Sequence, residues 1–247
     1  MHMRTKKWAK PELAVCPYFT NEAERFRGQW RAQFECDQPL YLELGCGKGV
    51  STAVMIHDNP QINYVAVDIT CNVLGDTRRN IAAAFGDAPV KNAIIARYDI
   101  SYIEKVFAPE DRVERIYINF CNPWTKRPKY AKRRLTHPRQ LMQYRTFLVD
   151  GGEIWFKTDD VPLFTESLPY FEACGFEMRY LTNDLHASGF SPNYVSEHEQ
   201  KFTALGVPIK FVIFRKKPGP VTLDPVRWVM PGAFAKLREG VPAQEEG

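Results

Sequence analysis

From Leu40 onward, short apolar runs alternate with stretches whose apolar residues recur every three or four positions. The runs 40–44, 62–67, 93–98, 114–120, 152–157, 176–182 and 207–215 read as strands, and 50–58, 70–85, 100–107, 138–149, 160–173 and 196–205 as helices. Such alternation builds βαβ units and a mostly parallel sheet. The last pair breaks the rhythm. Gly206-Val207-Pro208-Ile209 turns straight into a strand ending at Arg215, and so short a connection suits an antiparallel strand, at an edge or inserted. The expected fold is α/β: a Rossmann-like, doubly wound, seven-stranded, mostly parallel sheet with one antiparallel strand and helices on both faces.

The flanks read differently. Residues 1–39 open with Arg4, Lys6, Lys7 and Lys10 and continue into a predicted helix from Asn21 to Phe34, with Thr20 or Asn21 as cap and Glu22 and Glu24 in its first turn. After Lys217, Pro218-Gly219-Pro220 opens a tail whose Trp228 and Phe234 point to local packing. The predicted organisation is an extension (1–39), a core domain (40–217) and a tail (218–247).

Composition narrows the class. A chain of 247 residues can bury one large core, and 45% hydrophobic with 25% charged residues is ordinary for a globular protein. No apolar run approaches the roughly 20 residues that span a bilayer, and no apolar segment follows the basic start, so neither a membrane partner nor a secretory leader is expected. The six cysteines form no CxxC pair and read as reduced thiols of a cytoplasmic protein. The net charge of +4 says little, but its distribution says more. Lys126, Arg127, Lys129, Lys132, Arg133, Arg134 and Arg139 fall within fourteen residues that hold no acid. In isolation such a run is as readily a solvated face; on a long loop it is a footprint for phosphate.

The first chemical motif is Glu43-Leu44-Gly45-Cys46-Gly47-Lys48-Gly49, between a strand and a helix. Gly45, Gly47 and Gly49 allow a sharp turn and the close approach of a ligand. Their GxGxG spacing differs from the dinucleotide GxGxxG, which counts against a nicotinamide cofactor. The acid two places before the first glycine fits a ligand with a positive amino-acid end, as in S-adenosylmethionine. Asp68 ends the next strand, where a carboxylate can accept ribose hydroxyls, and Asp99 ends the third, within reach of an adenine amino group. Either alone is as readily a strand-end or capping acid. Together with the glycines, the three acids converge on one crevice.

The fourth strand runs into Cys121-Asn122-Pro123-Trp124-Thr125-Lys126 and then the basic run. A polar residue, a proline and an aromatic at this place sit beside the methyl donor in such a fold. Pro123 stiffens the loop, Trp124 offers a face for a base, and Asn122 can bond the base edge. His186 and His198 lie near acids but lack metal-ligand spacing, so no metal is expected.

These stretches resemble the bacterial tRNA (guanine-N7-)-methyltransferase family. Its usual form of the loop is Asp-Pro-Trp-x-Lys followed by Lys-Arg-Arg-Leu, matched here by Lys132-Arg133-Arg134-Leu135. Glu43 to Gly49, Phe156-Lys157-Thr158-Asp159, Asp184-Leu185-His186-Ala187-Ser188, and Ser196-Glu197-His198-Glu199-Gln200-Lys201-Phe202 also resemble family segments, so that the likeness spans about residues 4–215. It implies transfer of a methyl group from S-adenosylmethionine to N7 of a guanosine in tRNA, guanosine 46 of the variable loop. Glu43, Asp68, Asp99 and Asn122 would line the cofactor pocket, with Asn122 the catalytic residue. Trp124, Lys126, Asp159, Ser196, Glu197, His198 and Glu199 would meet the guanosine or its neighbours, with Glu197 and Glu199 accepting from its N1–H and N2 amine. Arg127, Lys129, Lys132, Arg133 and Arg134 would contact the RNA backbone.

Four positions depart from the family pattern: Asn122 for Asp, Asp68 for Glu, Ser196 for Thr and His198 for Tyr. N7 carries a lone pair and no proton, so its attack needs no general base, and Asn122 slows the reaction without forbidding it. Two alternatives stay open. Asn122-Pro123-Trp124 superficially resembles the Asn-Pro-Pro-aromatic motif of nucleic-acid amino-methyltransferases, and the loss of the family Asp would suit a catalytically silent tRNA-binding protein. Either a monomer or a homodimer fits.

Overall fold

The computed structural model describes residues 5–125 and 128–223. Among them, eight strands form one sheet: β1 (Phe19–Thr20), β2 (Leu40–Leu44), β3 (Asn63–Asp68), β4 (Ala93–Arg97), β5 (Val113–Asn119), β6 (Leu148–Thr158), β7 (Phe176–Thr182) and β8 (Lys210–Lys216). Their spatial order is β1-β4-β3-β2-β5-β6-β8-β7. Every pairing is parallel except those of β8, which runs antiparallel to both β6 and β7. The reversed strand is therefore inserted, not at the edge. Its segment Phe211-Val212-Ile213-Phe214 is buried on both faces, which only an interior strand can achieve. Edge strand β7 instead alternates buried or half-buried with exposed residues.

The helices are α1 (Ala9–Ala14), α2 (Val50–Asp58), α3 (Cys71–Phe85), α4 (Pro138–Phe147), α5 (Val161–Ala173) and α6 (Glu197–Ala204). Leu141 and Phe147 of α4 and Leu163 and Phe171 of α5 close one face of the sheet, where Phe171 stacks on Phe214 at 4.3 Å between ring centres. Met55 and Ile56 of α2 and Leu74 and Ile81 of α3 close the other. No helix among the described residues is long and apolar enough to cross a membrane.

Three expectations change. The sheet has eight strands, not seven, because Phe19 and Thr20 of the N-terminal segment add an edge strand opposite Ile95 and Ala96 of β4. Segment 100–107 folds as tight 3₁₀ turns over Ile100–Lys105 and not as an α-helix. Segment 21–34 likewise contains only short 3₁₀ turns, Ala23–Phe26 and Arg31–Gln33. Tertiary anchoring overrides helix propensity there. The Asp111 carboxylate accepts from the backbone N–H groups of Gly28 (2.9 Å), Trp30 (2.9 Å) and Ala108 (2.8 Å). Gly28 takes φ +76, and Trp30 is fully buried with its indole N–H donating to the Val106 carbonyl at 2.8 Å. Trp228 and Phe234 lie outside the described residues.

Candidate active site

The strand order reverses between β2 and β5, and ligands of open α/β sheets bind where carboxyl ends of strands meet such a switch point. A cleft of about 550 Å³ lies there. Glu43, Gly45, Gly47 and Gly49 form one wall, Asn119 and Phe120 the floor, and Ser196, Glu197 and His198 the far side. The structure thus gathers seven of the expected site residues around one opening.

The glycine wall is held from behind. Gly45, Gly47 and Gly49 have φ values of +80, +56 and +68, the left-handed region that glycine reaches without strain. The buried Thr77 of α3 donates from its hydroxyl to the Gly47 carbonyl at 2.7 Å, and the Asn80 amide donates to the Lys48 carbonyl at 2.8 Å. A Cβ on Gly49 would stand 2.4 Å from the Thr77 methyl, so α2 and α3 can approach this closely only over a glycine.

Glu43 is 3% exposed. Its Oε2 accepts from the Thr52 hydroxyl at 2.5 Å and its Oε1 from the Asn119 amide at 3.1 Å. Burial raises its pKa, against the pull of those two bonds and of Lys157. Asp68 ends β3, accepting from the Thr70 N–H at 2.9 Å and the Gly47 N–H at 3.3 Å, and burial raises its pKa too. Asp99 caps the turn after β4, accepting from the Ser101 N–H at 2.9 Å. Asp68 and Asp99 stand at successive strand ends beside the cleft wall without lining the cleft itself.

The loop after β5 carries two of the three non-glycine residues with positive φ among the described residues, Phe120 (+51) and Trp124 (+50). Between them, Asn122 is exposed, and its side-chain oxygen accepts from the Trp124 N–H at 3.0 Å. Trp124 meets Tyr130 edge-on at 6.1 Å, and the Arg133 guanidinium lies 5.1 Å from the first ring and 4.9 Å from the second. Lys129, Lys132 and Arg133 are exposed, as a phosphate-facing role requires. Arg134 is not: it is 4% exposed, donates to the Pro123 carbonyl at 2.7 Å and pairs with Glu166 of α5. The expected backbone contact at Arg134 thus gives way to a buried one inside the protein, because a charge this deep stays paired. Lys126 and Arg127 lie outside the described residues. Burial pushes the neighbouring Cys121 thiol up to about 12, which leaves it protonated and inert.

On the far side, the Ser196 hydroxyl caps α6 by accepting from the Glu199 N–H at 3.1 Å. Glu197 reaches across the mouth to the Lys48 ammonium at 2.7 Å. His198 bonds Asp159 at 3.1 Å and lies against Phe120 and Phe202, at 4.7 and 4.3 Å between ring centres. Glu199, expected to meet a base edge, is instead 0% exposed. Its carboxylate takes the Lys157 ammonium at 2.6 Å, the Asn193 amide at 2.8 Å and the His186 ring at 2.9 Å. With its lone pairs so engaged, it holds the wall and does not face the opening.

Sequence reasoning missed Asn119 and Lys157. Lys157 donates to Glu199, to the Asn193 side chain and to the Tyr194 carbonyl (both 3.0 Å), joining β6 to the segment before α6. Burial pulls its pKa down while Glu199 holds it up. The signal was present: Asn119 directly follows the apolar run Ile116-Tyr117-Ile118 at the end of β5, and Lys157 directly follows Ile154-Trp155-Phe156 one residue before the end of β6.

A family profile described as "Putative methyltransferase" matches residues 37–212. A Clostridium perfringens protein named tRNA (guanine-N(7)-)-methyltransferase is 50% identical over 219 residues, 87% of this chain and 100% of that protein. A Ruminiclostridium cellulolyticum protein of the same name is 46% identical over 220 residues, 88% of this chain and 93% of its own length. Among solved structures, an antibiotic-related methyltransferase superposes with a TM-score of 0.52 at 14% identity, covering 88% of this chain and 97% of that one. The 16S rRNA methyltransferase KamB does so at 0.51 and 11%, covering 87% and 96%. Likeness at such identity concerns the fold alone. Half-identity over the whole length of the bacterial proteins concerns the family, and the chain belongs to the tRNA (guanine-N(7)-)-methyltransferase family.

Proposed function

We propose that this protein transfers a methyl group from S-adenosylmethionine to N7 of a guanosine in tRNA, guanosine 46 of the variable loop. The observation that carries the reading is one juxtaposition. A glycine-walled cleft with a buried carboxylate in its wall, Glu43, adjoins a strained Asn122-Pro123-Trp124 loop whose aromatic and arginine side chains face outward.

The donor set suits such a cofactor. Each Glu43 oxygen accepts one hydrogen bond and retains a lone pair for an ammonium, and Asp68 can likewise take ribose hydroxyls. Asp99 is assigned to the adenine amino group. Glycine at position 47 leaves its side of the cleft open, since a Cβ there would meet nothing within 4 Å. When bound, the cofactor supplies a methyl group activated by a sulfonium.

The remaining work falls to side chains that place the base. Trp124 provides a face for stacking, with Tyr130 set edge-on beside it. N7 needs no deprotonation, so alignment and exclusion of water dominate. Asn122 shapes the turn through the Trp124 N–H and presents a neutral amide where the family form has a charge. Ser196, Glu197, His198 and Asp159 border the place for the guanosine. The Lys48–Glu197 pair, roughly half-exposed on both sides, is weak enough to exchange for contacts to RNA. Lys129, Lys132 and Arg133, with Lys126 and Arg127, are assigned to phosphates, which position RNA without reading its sequence. In this reading residues 40–217 are the catalytic domain, 1–39 its extension and 218–247 its tail, acting in the cytoplasm as monomer or homodimer.

The test is incubation with labelled S-adenosylmethionine and unmodified tRNA, then nucleoside mass spectrometry. N7-methylguanosine in the variable loop is the expected product, and a methyl group on an exocyclic amine would overturn the atom assignment. Asn122 gives one other reading its support. Tight tRNA binding with no transfer would identify a silent binder.

A further inference from the structure

We infer that Arg134 is a positioning residue that braces the Asn122-Pro123-Trp124 turn against α5, and that it is set apart by this from the phosphate-facing residues of the same basic run. The inference rests on the proposed reading of that turn as the base-holding loop.

The turn cannot hold itself. Trp124 at φ +50 and Phe120 at φ +51 sit in a region that bulky residues occupy only under outside support. The Asn122 oxygen spans the turn internally, leaving the Pro123 carbonyl as the handle for anything beyond it. Arg134 takes that handle at 2.7 Å through Nε and, through another nitrogen of the same guanidinium, pairs with Glu166. Two more contacts follow along the chain. The hydroxyls of Thr136 and Ser167 lie 2.6 Å apart, both fully buried, and the His137 ring faces Tyr170 at 5.9 Å. The segment after the basic run is thereby latched to successive residues of α5, and the Arg134 fork passes that rigidity to the turn.

The neighbouring arginine does the opposite. Arg133 is exposed and lies over the Trp124 and Tyr130 rings, free to face a phosphate. Arg134 cannot do so without abandoning Glu166 and the Pro123 carbonyl. Only arginine serves here, since a planar fork reaches both partners and a lysine ammonium is a single point.

Arg134→Lys and Arg134→Gln separate the two roles. A phosphate contact needs only the charge, so Lys would restore it and Gln would not. A brace needs the fork, so both fail alike. Four quantities are measured against wild type and Arg133→Ala: tRNA affinity from about 50 to 200 mM salt, KM for tRNA, kcat, and amide exchange of residues 120–125 in the free protein. For both Arg134 variants the expected result is faster exchange over 120–125, kcat lowered roughly 10- to 100-fold by the misplaced loop, and KM and salt slope within twofold of wild type. Arg133→Ala is expected to lower the salt slope by ~0.7–0.9. A lowered slope in Arg134→Gln that Arg134→Lys restores would overturn the proposal, as would unchanged exchange and turnover. Should the buried variants misfold, Glu166→Gln loosens the same fork from its half-exposed side and is expected to raise exchange over 120–125. No such rise in Glu166→Gln would also overturn it. If the wild-type protein methylates nothing, the functional reading fails, and exchange and salt slope still decide whether Arg134 is a brace.

Discussion

Gly49 offers a clean measurement, because its neighbour Gly47 is a built-in control. Both have positive φ, +68 and +56. Alanine at either position therefore meets the left-handed penalty of about 1–2 kcal/mol. Only at Gly49 is there a second term. A Cβ there would lie 2.4, 2.9 and 3.0 Å from Thr77 Cγ2, Cβ and Cα. Thr77 cannot step aside: it is 0% exposed, its hydroxyl holds the Gly47 carbonyl, and its Cα belongs to α3. Overpacking of this kind costs about 1–3 kcal/mol. Gly47→Ala should thus lose about 1–2 kcal/mol of unfolding free energy and Gly49→Ala about 2–5. Against a total of roughly 5–15 kcal/mol, the second loss is large.

Urea unfolding followed by tryptophan fluorescence measures both losses, and calorimetric binding of S-adenosylhomocysteine measures the cleft. The two variants should cross over. Both glycines line the cleft, but a Cβ on Gly47 would meet nothing within 4 Å and one on Gly49 would point into Thr77, so Gly47→Ala should weaken binding more than it weakens the fold, whereas Gly49→Ala should chiefly weaken the fold. Thr77→Ser in the Gly49→Ala background removes the 2.4 Å clash and leaves the 2.9 Å one, so recovery should be partial. Equal stability losses at the two glycines would refute the reasoning, because the steric term would then be absent.

Lys157→Met strands the fully buried Glu199 carboxylate and should cost about 3–5 kcal/mol in chemical denaturation, with Lys157→Met/Glu199→Gln recovering over half. Burial raises Glu43 above its ordinary value near 4.5, so S-adenosylhomocysteine affinity should fall as pH drops through the raised value, a dependence that Glu43→Gln reduces to the part due to Asp68, itself raised by burial, while binding more weakly throughout. A raised carboxyl contributes stability only while protonated, and that contribution is lost as pH rises through its folded pKa; Glu43→Gln should accordingly unfold at higher urea at neutral pH. Burial, with Arg134 and Arg139, lowers His137 from 6.5 to about 4; the unfolded chain takes up the proton first, so stability should drop as pH falls from about 6.5 to about 4, less so in His137→Asn, which keeps a cap for the Arg139 N–H. Asn122→Asp should raise single-turnover methyl transfer about fivefold, the effect of roughly 1 kcal/mol from charging one hydrogen bond to the purine, and a decrease would show that the amide is matched to its base.

The sequence by itself determined the strands from β2 to β8, though not the edge strand β1. A buried parallel strand shows as an apolar run and a half-exposed edge strand as an alternation, so Leu40–Leu44 and Phe176–Thr182 were legible to the residue, as was helix Val50–Asp58 behind its glycine turn. It also determined the chemistry carried by local backbone geometry, since only glycine serves at positions 45, 47 and 49. The family resemblance was equally local, resting on motifs of contiguous residues. Only the tertiary structure decided which polar residues face the cleft. Arg133 and Arg134 are adjacent and chemically identical, yet one lies over exposed rings and the other is buried against Glu166, thirty-two residues away. Glu197 and Glu199 differ as sharply, because two positions along α6 turn the side chain by about 200°, directing the first to the mouth and the second inward to Lys157. Segment 21–34 looked helical because its cap and early acids are local signals, whereas the Asp111 carboxylate and the Trp30 socket that reshape it come from a distant part of the chain. Propensity and periodicity act over a few residues, while burial and pairing of charge act between elements that meet only once the sheet has formed.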